Sequence, residues 1–166
     1  RRMSTSRPHG TWARRNAVKE EDYNALPTPP TFVVDMDNPT HAYGKPSAAY
    51  ERSMPSLSGT ATDVAPGKFD ESGGPWPVQV AIATNSFTAW WNGTNNWVVG
   101  SPIYFNATAA DGTFDSESEA WTLSTSLPAF QNGKTYNVRV HLTDKSARTQ
   151  DFDTSFTMDT SSPTAA

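Results

Sequence analysis

An all-β fold, a Greek-key sandwich of about seven strands, is what this sequence predicts, and three observations carry the prediction. Apolar and polar residues alternate at period two in VQVAIAT (78–84) and TYNVRVHLT (135–143). Gly- and Pro-bearing turn text separates the apolar stretches, drawn from 10 Gly and 13 Pro. No segment sustains the 3.6-residue period of an amphipathic helix.

Taken in order, residues 1–30 open on Arg1, Arg2, Arg7, Arg14 and Arg15 and close on Pro27, Pro29 and Pro30. Two readings of them stay open. One is a disordered, extended arm. The other is the last hairpin of a preceding domain, because Thr11, Trp12, Arg15 and Val18 fall in step with Thr135, Tyr136, Arg139 and Leu142. Residues 35–53 read as a linker and a leading strand. SLSGTATD (56–63) is a short strand that ends in an acidic turn, and 64–77 is a Gly/Pro loop. In 78–84, Val78, Val80 and Ile82 share one face. Residues 89–92 and 96–105 flank the turn text NGTN, and 109–117 is a polar loop. Trp121 and Leu123 point inward from 120–124. Tyr136, Val138, Val140 and Leu142 share a face of 135–143, and 152–158 is the last strand. The expected domains are an N-terminal arm over 1–45, a sandwich over 46–160 and the start of a further linker over 161–166.

One phrase occurs twice. TFVVDMDNPT (31–40) and SFTMDTSSPT (155–164) agree at Phe32/Phe156, Asp35/Asp159, Pro39/Pro163 and Thr40/Thr164, with an offset of 124 residues. A recurrence at the length of one small β domain predicts a piece of a tandem array.

Composition narrows the chemistry. The net charge of −4 argues against nucleic acid as a partner. There is no cysteine, which excludes disulfides and thiolate chemistry. No apolar run reaches the ~18 residues of a membrane span. Catalytic signatures such as GxSxG, HExxH or a Gly-rich phosphate loop are missing, so the chain is expected not to be an enzyme. Of its three histidines, His9 and His41 lie before the regular strands, and His141 alternates outward. The carboxylate pairs Glu117/Glu119 and Asp151/Asp153 are expected on a solvated surface.

The phrases SLSGTATD, VQVAIAT, WWNGTNNWV, AWTLSTSLPAFQNGKTYNVRVHLTD and FTMDTSSPT, in this order and spacing, resemble the bacterial immunoglobulin-like repeats of large surface proteins. The resemblance spans 54–164. It implies an immunoglobulin-like Greek-key sandwich that serves as a stalk, spacer, adhesive module or filament unit, extracellular and at the cell surface. The family pattern often places Gly-Asn after the Asp of its penultimate strand; Lys145, Ser146 and Ala147 stand there, so that turn is expected to differ. Tyr136, after a tight turn at the start of a late strand, fits either a tyrosine corner or an ordinary core position.

Three sets of side chains are candidates for function. In an immunoglobulin-like topology the ends of the second and sixth strands and the incoming linker meet at one pole. That brings Asp63, Asp144, Asp35, Asp37 and Asn38 together, a hard-oxygen set suited to Ca²⁺ at an inter-domain joint. The alternative is that Asp63 and Asp144 only form Asx-turns. Trp90, Trp91 and Trp97 form the second set. Adjacent Trp90 and Trp91 must face opposite ways, so one is expected in the core and the other available for a neighbouring subunit or a sugar. Asn92 and Asn106 head N-glycosylation sequons, both expected in accessible turns.

The function expected is therefore a structural module of an extracellular repetitive surface or filament protein, partnered by neighbouring copies of itself. Its arm could assemble head to tail by adding a strand to the next subunit. The alternatives are a carbohydrate-binding or adhesive module using an exposed Trp, and an accessory domain of a secreted enzyme.

Overall fold

The computed structural model describes residues 32–162 apart from 73 and 85. Among them there are strands and no helix. One sheet has four strands in the order β1 (Thr40–Lys45), β3 (Leu57–Thr62), β9 (Ser118–Leu123) and β8 (Thr108–Ala109). The other runs β2 (Tyr50–Glu51), β11 (Thr149–Met158), β10 (Thr135–Thr143), β4 (Val78–Thr84), β5 (Ala89–Trp91) and β6 (Trp97–Val99), with β7 (Phe105–Asn106) on β4. All pairings are antiparallel except β2 with β11.

The core lies between the sheets. Leu57, Ala61, Trp121 and Leu123 face it from one side, and Val80, Ile82, Val138, Val140, Leu142 and Phe156 from the other. The period-two pattern of β10 places Tyr136, Val138, Val140 and Leu142 inward as expected. Tyr136 is buried, and its Oη accepts the Gln131 N–H at 2.9 Å, which is the backbone bond of a tyrosine corner.

Several boundaries differ from the sequence reading. Residues 40–45 are not part of an arm. They form β1, which pairs with β3 from Thr40↔Thr62 to Lys45↔Ser58 and so belongs to the sandwich. The expected strand over 96–105 breaks at Gly100, at φ +137°, and the chain after it crosses the outer face of the sheet before rejoining it as β7. The expected hairpin over 10–34 lies outside the described residues, save for its last three. No described helix is long and apolar enough to cross a membrane, which says nothing of a β-barrel.

Candidate metal centre

The register sets up one acidic pole. β1 begins opposite the end of β3, so the segment leading into β1 passes the residue after β3, Asp63. β10 ends at Thr143 and turns into β11 at Thr149, which puts Asp144 at the same end. One carboxylate oxygen from each of Asp35, Asp63 and Asp144 lies within 4.8 Å of the others.

Asp63 is fully buried, and neither of its carboxylate oxygens has a hydrogen-bond partner. A buried carboxylate left this way costs several kcal/mol unless something compensates its charge. The turn after it closes over the carboxylate, with the Gly67 N–H donating to the Val64 carbonyl at 2.8 Å. Gly67 sits so near that a Cβ there would fall 2.2 Å from Asp63 Oδ2. Asp144 is buried as well. Its Oδ1 accepts the Arg148 N–H at 2.8 Å, closing the β10–β11 turn, while Oδ2 has no partner. Asp35 is half-buried and tied to the same turn: Ser146 Oγ donates to its Oδ2 at 3.1 Å and Arg148 Nε to its carbonyl at 3.3 Å. Ala147 in that turn holds φ +63°, a conformation suited to the Gly or Asn it lacks.

The charges at this pole are unbalanced. Among the described residues no Lys or Arg pairs ionically with the three carboxylates; Lys145 is engaged by Asp70 at 2.9 Å. Burial first, and then the charges of Asp35, Asp144 and Asp37, push the Asp63 carboxyl up to about 6, with Arg148 opposing. A cleft of about 350 Å³ bordered by Asp70, Ser72, Asp144 and Lys145 adjoins the pole.

These donors fit a hard divalent cation. Ca²⁺ sits about 2.3–2.6 Å from its oxygen ligands, so two ligands of one ion stand up to about 5.2 Å apart. Separations within 4.8 Å meet that limit. Of the sequence-derived ligand set, Asp35, Asp63 and Asp144 come together. Asp37 is not in that group: it is exposed, adds its charge to that felt by Asp63, and donates its N–H to Asp35 Oδ1 at 3.1 Å, while Asn38 is exposed on the same lead-in. The contributions of Gly67, Ser146 and Arg148 carry no signal in the sequence beyond their nearness to Asp63 and Asp144.

The tryptophans are placed differently from expectation. Trp90 and Trp91 do face opposite ways, yet both are buried, at 2 % and 7 % exposure. Trp91 is in the main core, with Nε1 donating to the Ser126 carbonyl at 2.8 Å. Trp90 lies on the outer face, where Phe87, Ile103 and Tyr104 cover it and the Arg139 guanidinium stands 5.7 Å from its ring centre. Alternation decides the face, and the crossing of 101–104 then removes that face from solvent. Neither ring is an exposed platform for sugar or subunit. Trp97 is half-buried between Trp91 and Tyr136, beside a cleft of about 450 Å³ that also takes in Lys134 and Asn137.

Other candidates resolve into structural roles. Asn92 Oδ1 accepts the N–H groups of Thr94, Asn95 and Asn96 at 3.0–3.1 Å and so builds its turn, with the residue half-buried. Asn106 is exposed, but on β7 rather than in a turn. Glu119 is not solvated: it is buried, and its Oε1 accepts the N–H groups of Asp115 and Ser116. Arg139 and Asp153 form a two-pronged pair across β10 and β11, and His141 bonds Asp151 at 2.6 Å. His41 is half-buried against Tyr43, Trp121 and Phe152, and neither ring nitrogen has a partner.

No family model matches the chain, and no curated protein matches it. Among solved structures the chain is similar to a superoxide reductase (neelaredoxin) from Ignicoccus hospitalis, at 6 % identity and a TM-score of 0.33, over 74 % of this chain and 80 % of that one. A likeness this loose transfers neither fold nor chemistry.

Proposed function

We propose that this chain is a structural β-sandwich module of an extracellular repetitive protein, and that Ca²⁺ pins its lead-in segment to the sandwich. The observation that carries the reading is the fully buried Asp63 carboxylate, with no partner of its own, within 4.8 Å of ligand atoms from Asp35 and Asp144. Asp63 and Asp144 belong to the ends of two strands, and Asp35 belongs to the segment that precedes β1. An ion held by all three therefore joins lead-in to domain and stiffens the angle between them. The module acts by geometry, not by turnover. Strand order supports an immunoglobulin-like classification: β1-β3-β9-β8 corresponds to an A-B-E-D sheet, and β11-β10-β4-β5 to G-F-C-C′.

With three protein carboxylates and the rest of the shell left to water or backbone, affinity is expected in the range of about 10⁻⁴–10⁻³ M typical of extracellular Ca²⁺ modules. Calorimetric titration of Ca²⁺ into EDTA-stripped protein should show one ion per chain. A chain that takes up no Ca²⁺ and whose melting temperature ignores it refutes the reading.

A further inference from the structure

This inference rests on the cation-joint reading and extends it to the other end of the molecule. We infer that Asp159 is the lead-in aspartate of a second sandwich of the same fold, completing a cation site whose two other carboxylates stand where Asp63 and Asp144 stand here.

The repeated phrase is the starting point, and the structure adds four observations. In the first copy the Asp37 N–H donates to Asp35 Oδ1 at 3.1 Å; in the second the Ser161 N–H donates to Asp159 Oδ1 at 3.1 Å. The two aspartates therefore sit at the head of the same local turn. Next, the apolar residues before them have opposite fates. Phe156 and Met158 end β11 inside the core, at 1 % and 4 % exposure. Their counterparts Phe32 and Val34 are 85 % and 59 % exposed. An apolar pair at this spacing has a use as the end of a sandwich's last strand and none in a bare tether. The phrase thus reads as last strand plus lead-in, shared between consecutive sandwiches.

Asp159 also cannot serve its own domain's acidic pole. β11 starts beside that pole at Thr149 and runs ten residues away from it. At about 3.3 Å per residue this places Asp159 roughly 30 Å distant. Finally, Asp159 is presented rather than loose. Its N–H donates to the Glu51 carbonyl at 3.0 Å, the next N–H, of Thr160, donates to Asn132 Oδ1 at 2.7 Å, and the residue itself is exposed. In the second copy Thr160, Ser161 and Ser162 replace Met36, Asp37 and Asn38, which agrees with Asp37 lying outside the carboxylate triad. The partner assigned is a second copy of this sandwich, in line, with the ion at the joint.

The test is a fused chain in which residues 1–164 of one copy run directly into residues 41–166 of another, so that Thr164 takes the place of Thr40. Calorimetry with Ca²⁺ should find one ion in the single chain and two in the fused chain. Asp159→Asn in the first copy should bring the fused chain back to one ion and leave the single chain unaffected. Replacing 159–164 of the first copy by a Gly/Ser linker should likewise leave one ion, while two sandwiches still melt. One ion in the single chain and one in the fused chain overturns this inference alone, as does a second ion that survives Asp159→Asn or the linker. No ion in the single chain overturns the joint reading and this inference with it.

Discussion

Replacing Asp63 by Asn should stabilise the ion-free protein and forfeit that advantage when Ca²⁺ is present. Asn keeps the shape of the side chain and removes its charge. In the ion-free protein three carboxylates lie within 4.8 Å of one another, and Asp63 takes part in two of the three pairs. Two unit charges at that distance repel by about 3 kcal/mol at an effective dielectric of 20. Arg148 opposes this repulsion, as does ordinary screening, and a net relief of about 1–3 kcal/mol is expected for the variant in EDTA. For a chain of this size that corresponds to a melting temperature higher by roughly 3–10 °C. With Ca²⁺ at a hundred times its dissociation constant the wild-type protein gains about 2.7 kcal/mol, whereas the variant gains little. Asp63→Asn should therefore melt above wild type in EDTA and lose that lead in Ca²⁺, when both are followed by calorimetry or near-ultraviolet circular dichroism at neutral pH. A variant that is destabilised equally in both conditions would refute the argument, because Asp63 would then be holding protein groups and not an ion.

Three further outcomes follow from the same geometry. Gly67→Ala puts a Cβ 2.2 Å from the Asp63 carboxylate; it should lower stability by about 1–3 kcal/mol and abolish the Ca²⁺-dependent rise in melting temperature, and an intact Ca²⁺ response would show that the turn is not a cradle. Ala147→Gly relieves a positive φ in the Asp144 turn and should raise the denaturation midpoint by the equivalent of about 0.5–1 kcal/mol, a lower midpoint being the contrary result. Burial holds the His41 imidazole down to about 4, against about 6.5 in an unfolded chain. The unfolded state thus binds the proton first, and the contribution of His41 is fully present above about 6.5 and is lost as pH falls toward 4. His41→Phe should flatten that part of the pH–stability curve; an unchanged slope would assign it to other groups.

Much of the strand pattern is legible in the residues themselves. Tyr136, Val138, Val140 and Leu142 alternate in the text and line the core in the fold, because a strand's side chains change face at every residue whatever surrounds it. The acidic pole is legible for a related reason. Once Asp63 and Asp144 are placed at strand ends and Asp35 ahead of the first strand, topology alone brings them to one end of the sandwich. What alternation does not contain is what lies above a face. Trp90 points outward as its position demands, yet 101–104 crosses over it and it is buried; no local pattern announces a crossing made by distant residues. β1 is similar: THAYGK has exposed and half-buried positions and no strong apolar face, and becomes a strand because β3 offers it an edge. The selection of Asp35 over Asp37, and the burial that leaves Asp63 without a partner, were likewise decided by tertiary structure. They depend on which oxygens the 64–67 and 144–148 turns close around, and that is a matter of ångströms which residue order does not encode.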